Sequence, residues 1–239
     1  MPEQPTTPPT SPCTPAETTP PAGGAAPAPK AHEYAHERDW PGYYRAVAGK
    51  GARETLLKAL ELFERDAPSD LPRFAIDLGC GSGRDTFELL RRGWRVLAVD
   101  ASELGLSLLK KEVPSEHADR LETMLSGYED FTPRRATFIN ASYALPFCEP
   151  SRFDEVWARI AAAIPPGGRF AGQFFGERDD WAALPDRAHH TRPQVERLLA
   201  EFTIDRLQEV ENREAGATGI VKNWHVFHVV AKKRPGGSS

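Results

Sequence analysis

Cysteine and methionine are nearly absent, with 3 of the first and 2 of the second in 239 residues. Cys13, Cys80 and Cys148 lie far apart and form no CxxC pair. That excludes a disulfide framework and a cysteine zinc site, and it fits a reducing, cytoplasmic setting. An excess of one charge is also lacking: 30 Lys and Arg stand against 34 Asp and Glu, a net of −4. No global positive field exists to draw in nucleic acid or an anionic membrane surface. No apolar run approaches the roughly 20 residues of a bilayer span, and the N-terminus lacks the basic start and apolar stretch of a signal peptide. The expectation is a cytoplasmic protein with no membrane partner.

Proline, by contrast, is concentrated at the start. Residues 1–30 are Pro, Thr and Ala with almost nothing apolar, too little to offset the entropy of ordering, so they read as a disordered tail. Residues 31–235 read as one domain and 236–239 as a second short tail. Within 31–52, Tyr34, Trp40, Tyr43 and Tyr44 crowd together, as an aromatic lid or as a plain clasp on the core, and Pro41-Gly42 breaks any long helix through them. Leu56, Leu57, Leu60 and Phe63 share one face of a helix over about Arg53 to Arg65.

Apolar runs and amphipathic segments then alternate, the pattern of a parallel sheet covered on both faces. Strands are expected at Phe74–Ile76, Trp94–Val99, Leu121–Leu125, Ala136–Ala141 and Arg169–Phe175. Helices are expected at Arg84–Arg92, about Glu103 to Lys111, and Phe153–Ala163, the last stopped by Pro165-Pro166-Gly167-Gly168. Thr191 caps a helix from about Pro193 to Phe202. Two strand-like runs follow, near Ile204–Val210 and Val221–Ala231, with no helix between, so they pair as an antiparallel hairpin. The fold class is α/β, Rossmann-like: a seven-stranded, mostly parallel sheet with helices on both faces and a C-terminal antiparallel hairpin.

Between the first strand and its helix the chain reads Asp77-Leu78-Gly79-Cys80-Gly81-Ser82-Gly83-Arg84. Alternate glycines permit positive φ and remove the Cβ atoms that would hold a ligand off the backbone. Asp100 closes the second strand, where a carboxylate accepts hydrogen bonds from both hydroxyls of a ribose. A dinucleotide fingerprint spaces its glycines G-x-G-x-x-G and brings a pyrophosphate to the helix N-terminus. Here the spacing is G-x-G-x-G and Asp77 precedes it, an acid that repels pyrophosphate and suits a cationic ammonium or sulfonium. A nicotinamide-dependent oxidoreductase is disfavoured on both counts.

Asp77 to Gly83 followed by Asp100 resembles the first two motifs of the class I S-adenosylmethionine-dependent methyltransferases, over roughly residues 50 to 232. Gly-Ser-Gly-Arg-Asp at 81–85 is further similar to the tellurite-resistance and thiopurine-type small-molecule branch. The resemblance implies S-adenosylmethionine as cofactor, bound at Asp77, Gly79, Cys80, Gly81 and Gly83, with Gly79, Cys80 and Gly81 lining its methionine part. It also implies Asp100 and Ala101 at the ribose, Glu129 and Asp130 in the place of the adenine-side acid, and Asn140 after the fourth strand. The implied activity is methyl transfer to a small molecule. A non-catalytic S-adenosylmethionine-binding module is the alternative, since fold does not fix function.

Ligands of open parallel sheets bind beyond the carboxyl ends of the strands. That places an acceptor near Tyr143, Trp224, Trp40 and Tyr44, with Trp181 as an opposite wall. His225, expected at the rim, or Tyr43 would take a proton if the acceptor is a hydroxyl or amine. His228, deeper on the same strand, is assigned to packing. Nucleic-acid adenine methylation usually needs Asn/Asp-Pro-Pro-aromatic after the fourth strand, and the chain reads Asn140-Ala141-Ser142-Tyr143. With the acidic net charge, a polynucleotide substrate is disfavoured. His189 and His190 read as an exposed approach to a helix, and no metal site is expected because carboxylate and cysteine partners at ligand spacing are missing. Oligomeric state is not readable.

Overall fold

The computed structural model describes residues 39–66 and 70–236. The expected tail at 1–30, most of 236–239 and the first part of the aromatic segment lie outside the described residues. Helices α1 (Trp40–Val47) and α2 (Glu54–Arg65) precede β1 (Phe74–Leu78), α3 (Arg84–Arg91), β2 (Arg95–Asp100), α4 (Glu103–Glu112) and β3 (Leu121–Leu125). Then come β4 (Phe138–Ala141), α5 (Phe153–Ala163), β5 (Arg169–Gly176), β6 (His189–His190), α6 (Arg192–Leu198), β7 (Phe202–Ala215) and β8 (Val221–Lys233).

The sheet runs β3-β2-β1-β4-β5-β8-β7, with β6 paired to β5 off this path. Strands β3 to β5 of this series are parallel, and β8 is antiparallel to both β5 and β7. This is the expected Rossmann-like sheet with its closing hairpin, enlarged by the two-residue β6. Strands β4 and β5 are buried along their whole length, as strands covered on both faces must be. One face presents Ile76, Ile139, Phe170 and Phe227 to Phe153, Trp157 and Ile160 of α5. The other presents Ala75, Val96 and Phe138 to Leu56 and Leu60 of α2 and Leu89 of α3. Each such large apolar side chain contributes roughly 1.5–3 kcal/mol of burial free energy.

Local chemistry sets the boundaries. The Asp39 carboxylate accepts from the Gly42 amide at 2.7 Å and starts α1. Pro41, read as a break, stands in the first turn of that helix, where its missing N–H costs nothing. Ser102 caps α4 through the Gly105 amide. Thr191 and Gln194 form a reciprocal capping box on α6.

Gly83 precedes α3 in the left-handed region, at φ +93°, and a Cβ there would lie 2.4 Å from Leu109 Cδ1. Gly83→Ala is therefore expected to cost about 2 kcal/mol, from the conformational penalty and the contact together. In a chain of this size that lowers Tm by about 4–8 °C in a thermal melt; an unchanged melt would mean that the loop relaxes freely.

No helix among the described residues is long and apolar enough to cross a membrane.

Candidate functional site

A cleft opens beyond the carboxyl ends of β1 and β4. Its floor is Asp77, Gly79, Cys80 and Gly81, and its walls come from Tyr43, Tyr44, Arg53, Arg84, Asp85 and Ser142. The floor holds its shape through the backbone: Gly79 and Cys80 both donate to the Val99 carbonyl, at 2.8 and 3.1 Å. Helix α1 lies across it. A Cβ on Gly81 would meet the Tyr44 ring at 2.9 Å, so the absence of a side chain there is what lets the helix approach.

Asp77 is 2% exposed. It accepts the Thr86 hydroxyl at 2.5 Å and Asn140 Nδ2 at 2.9 Å. Asn140 Nδ2 also reaches Asp85 Oδ2 at 3.0 Å, so one amide bridges two buried carboxylates. Burial, and then the charge of Asp85, raise the Asp77 pKa from 3.8 to about 7. The negative charge here is costly, and a cation in the cleft would relieve it. Arg53 and Arg84 supply the opposite sign on the α1 side. The Arg53 guanidinium donates to Tyr43 Oη at 2.9 Å and lies 4.6 Å from the Tyr143 ring centroid. Arg84 Nε donates to the Gly51 carbonyl at 2.6 Å. The cleft thus offers both signs within one small space.

At the end of β2, Asp100 accepts the Gly81 amide with one oxygen and the Ser102 amide with the other, each at 2.7 Å. Burial raises its pKa, against those two hydrogen bonds. Each oxygen keeps a second lone pair for a diol. Beside it, the Tyr44 hydroxyl bonds to the Ser102 side chain, and burial pushes its pKa up to about 12.

This arrangement matches known folds. Residues 75–168 match the family model for a methyltransferase domain. TehB from Haemophilus influenzae superposes with a TM-score of 0.63 at 15% identity, covering 82% of this chain and 67% of that one. This is the class I methyltransferase fold. A second structure with the methyltransferase fold is 1,6-didemethyltoxoflavin-N1-methyltransferase of Burkholderia thailandensis, solved with 1,6-didemethyltoxoflavin and S-adenosylhomocysteine. It superposes with a TM-score of 0.60 at 24% identity, over 89% of this chain and 94% of that one. In sequence, the cypemycin N-terminal methyltransferase of Streptomyces sp is 33% identical over 102 residues, 40% of this chain. The chain spans only 39% of the length of that relative.

On the methyltransferase fold the expected residues fall into three groups. Asp77, Gly79, Cys80 and Gly81 line the cleft, Asp100 and Asn140 stand behind it, bonded to Gly81 and Asp77, Gly83 turns into α3, and Ala101 is exposed at the end of β2. Tyr43 and Tyr44 line the cleft, and Trp40 stacks on Tyr44 with centroids 6.5 Å apart. Tyr143 holds φ +53°, unusual for a bulky residue, with its ring edge-on to Phe175 at 6.4 Å and to His228 at 6.2 Å.

Glu129 and Asp130 stand apart from the cleft lining: Glu129 Oε1 accepts the Glu149 amide at 2.8 Å, and Asp130 is exposed. Trp224 belongs to an aromatic cluster with Trp181 (5.3 Å) and Phe175 (6.0 Å).

His225 does not stand at the rim. It is fully buried, on the α5 side of the sheet with Phe227. Its Nδ1 accepts the Arg178 amide at 3.1 Å and its Nε2 lies 2.9 Å from Glu209 Oε1. Both ring nitrogens are occupied, so no lone pair is left for a substrate proton. The reason is alternation along β8: His225 lies beneath Gly176, where a Cβ would come within 2.0 Å of its Nδ1. His228, three residues on, faces the α2 side, with Nδ1 3.5 Å from Gln173 Nε2, and burial lowers its pKa.

His189 and His190 are not an exposed approach either. They form β6 on the end of β5, and the His190 ring packs 4.4 Å from that of Phe153, with its pKa lowered to about 4 by burial.

Arg53, Arg84, Asp85 and Ser142 line the cleft, though sequence alone assigns none of them a site role, Arg84 and Asp85 figuring only in the 81–85 motif. Only Asp85 carried a signal, as an acid in the first turn of a helix that follows a glycine loop. Among the described residues no group of three or more His, Cys, Asp or Glu is placed to hold a metal ion.

Proposed function

We propose that the chain binds S-adenosylmethionine in this cleft and transfers its methyl group to a small-molecule acceptor, as a cytoplasmic enzyme. The observation that carries the reading is the pairing of charges around the glycine loop. A buried Asp77 with a pKa raised to about 7 suits an ammonium, Arg53 and Arg84 suit a carboxylate, and Asp100 at the end of β2 suits a ribose. That set fits an amino-acid nucleoside and opposes a pyrophosphate, which would meet Asp77 and Asp85 at the start of α3.

The cofactor brings an electrophilic methyl group, so the chain need only hold an acceptor in line, at about 3–3.5 Å, and keep water out. Asp77 and Asn140 set one end, Asp100 the other, and Tyr43 and Tyr44 of α1 cover the loop between. Tyr43 lines the cleft and His225 is sealed away from it, so of these two the base acting here would be Tyr43.

Calorimetric titration with S-adenosylmethionine, S-adenosylhomocysteine and NADH tests the reading. Micromolar binding of the first two and none of NADH is expected; binding of NADH alone would move the chain to hydride chemistry.

A further inference from the structure

Tyr143 is, among the described residues, the one residue other than glycine with a positive φ, +53°. A Cβ makes that conformation costly, and strain of this kind persists only where the surroundings over-determine it, most often at functional sites. The surroundings here are specific. The Tyr143 amide donates to Gln173 Oε1 at 2.8 Å, and Gln173 Nε2 donates to Thr55 Oγ1 at 3.0 Å. Gln173 lies within β5 and is buried, so one amide side chain ties the turn after β4 to both β5 and α2.

The strained turn lays the Tyr143 ring under the Arg53 guanidinium, whose carbon is 4.6 Å from the ring centroid, a cation–π distance. Phe175 at 6.4 Å and His228 at 6.2 Å pack edge-on against the same ring and hold it. Arg53 is fixed at two further points: its amide donates to Asp85 Oδ1 at 2.8 Å, and its guanidinium to Tyr43 Oη at 2.9 Å. A free arginine side chain has many rotamers, and ordering one costs entropy. Here that ordering is complete before any ligand arrives.

The ordered group has no counter-ion of its own. Among the described residues neither Arg53 nor Arg84 forms an ion pair with a carboxylate side chain, although both line the cleft. Burial, and next the charge of Arg53, lower the Arg84 pKa. Two cations crowded at one wall of the cleft favour an anion between them.

We propose that Tyr143 is a positioning residue: from its strained turn it holds the Arg53 guanidinium aimed into the cleft, ready for the carboxylate of the bound nucleoside's amino-acid part. The inference rests on the methyl-transfer reading for the identity of that carboxylate. It goes beyond that reading in assigning the aim of Arg53 to Tyr143, and the hold on Tyr143 to Gln173. Tyr143 touches no ligand in this role. Its ring, not its hydroxyl, does the holding, and the left-handed backbone brings the ring into place.

Calorimetry on the full chain with S-adenosylhomocysteine and with methylthioadenosine, which lacks the amino-acid part, tests the assignment. Arg53→Met is expected to weaken S-adenosylhomocysteine about 30-fold and Tyr143→Asn about tenfold, with methylthioadenosine unchanged within about twofold in both. Asparagine tolerates the left-handed conformation, so that variant removes the ring and keeps the turn. Tyr143→Phe restores the ring and should bind S-adenosylhomocysteine within about twofold of wild type. In the Arg53→Met background Tyr143→Asn should bring no further loss, as expected of a residue that acts through another. Equal weakening of both nucleosides by Tyr143→Asn, an undiminished effect in the Arg53→Met background, or no effect at all overturns the assignment. A second readout needs no ligand: the Arg53 Nε–H resonance, identified by its loss in Arg53→Met, should sit upfield over the Tyr143 ring. It should move to the ordinary arginine position in Tyr143→Asn but not in Tyr143→Phe, and a resonance unmoved by Tyr143→Asn overturns the positioning. Should the wild type bind neither nucleoside, the methyl-transfer reading falls, and the resonance still decides whether Tyr143 holds Arg53.

Discussion

Asp77→Asn is expected to stabilise the free protein and to disable the cofactor site at once. The folded chain raises the Asp77 pKa from 3.8 to about 7, through burial and the neighbouring Asp85, so it holds that proton more tightly than the unfolded chain does. The sign follows by linkage: the favourable contribution is complete below about pH 4 and is lost as pH rises through about 7. Asparagine keeps the shape, accepting from Asn140 and donating to Thr86, without the buried charge. A Tm gain of about 5 °C at pH 8, shrinking to nothing near pH 4, should appear in melts across that range. In the same variant the dissociation constant for S-adenosylmethionine should rise about 10- to 100-fold at pH 8, the worth of a charge-assisted hydrogen bond in a closed site. In the wild type the affinity should fall as pH drops from 8 to 6, and this dependence should be missing from the variant. A variant less stable than wild type at pH 8 would mean that the carboxylate is needed by the fold itself.

Asp100→Ala is expected to weaken S-adenosylmethionine by about 100-fold. Two losses combine. The ribose would lose the carboxylate proposed to take its hydroxyls, and the loop would lose the two 2.7 Å hydrogen bonds that tie the Gly81 and Ser102 amides to Asp100. The two are separable. Asp100→Asn can still accept one amide, and it should keep the melt close to wild type while remaining weak for the cofactor, as seen by calorimetry. If both variants bind S-adenosylmethionine like wild type, the ribose is held elsewhere.

The sheet was legible because its information is local. Strands such as Ala75-Ile76 and Phe170-Ala171 are unbroken apolar runs, and buried parallel strands require that. The glycine loop and Asp100 were legible because a turn without side chains, followed by an acid closing the next strand, has few other uses. Elements decided by distant neighbours were not. His189-His190 has no strand pattern of its own and becomes β6 only because Phe175 and Gly176 lie beside it. The hairpin was expected to end near Val210, yet Glu211 to Ala215 continue it, because they pair with Val221 to His225. Alternation correctly placed His225 and His228 on opposite faces. Which face looks toward the cleft depends on how β8 registers against β5, and no pattern within β8 states it. Arg53 and Ser142 were missed for a related reason: each is ordinary in its own segment and gains meaning only where α2 and β4 converge on the loop.

The strand order also has a consequence for how the chain emerges during synthesis. Strands β1 to β5 are all made before β8, yet β8 is the one that covers the second edge of β5. A nascent chain can pair its first five strands and still expose the open backbone of β5, a strand buried along its whole length in the finished fold. That edge stays bare until the residues up to Lys233 have left the ribosome. Such an edge is a template for wrong pairing. Chains stopped anywhere between Gly176 and Val221 should therefore aggregate rather than persist as smaller folded proteins.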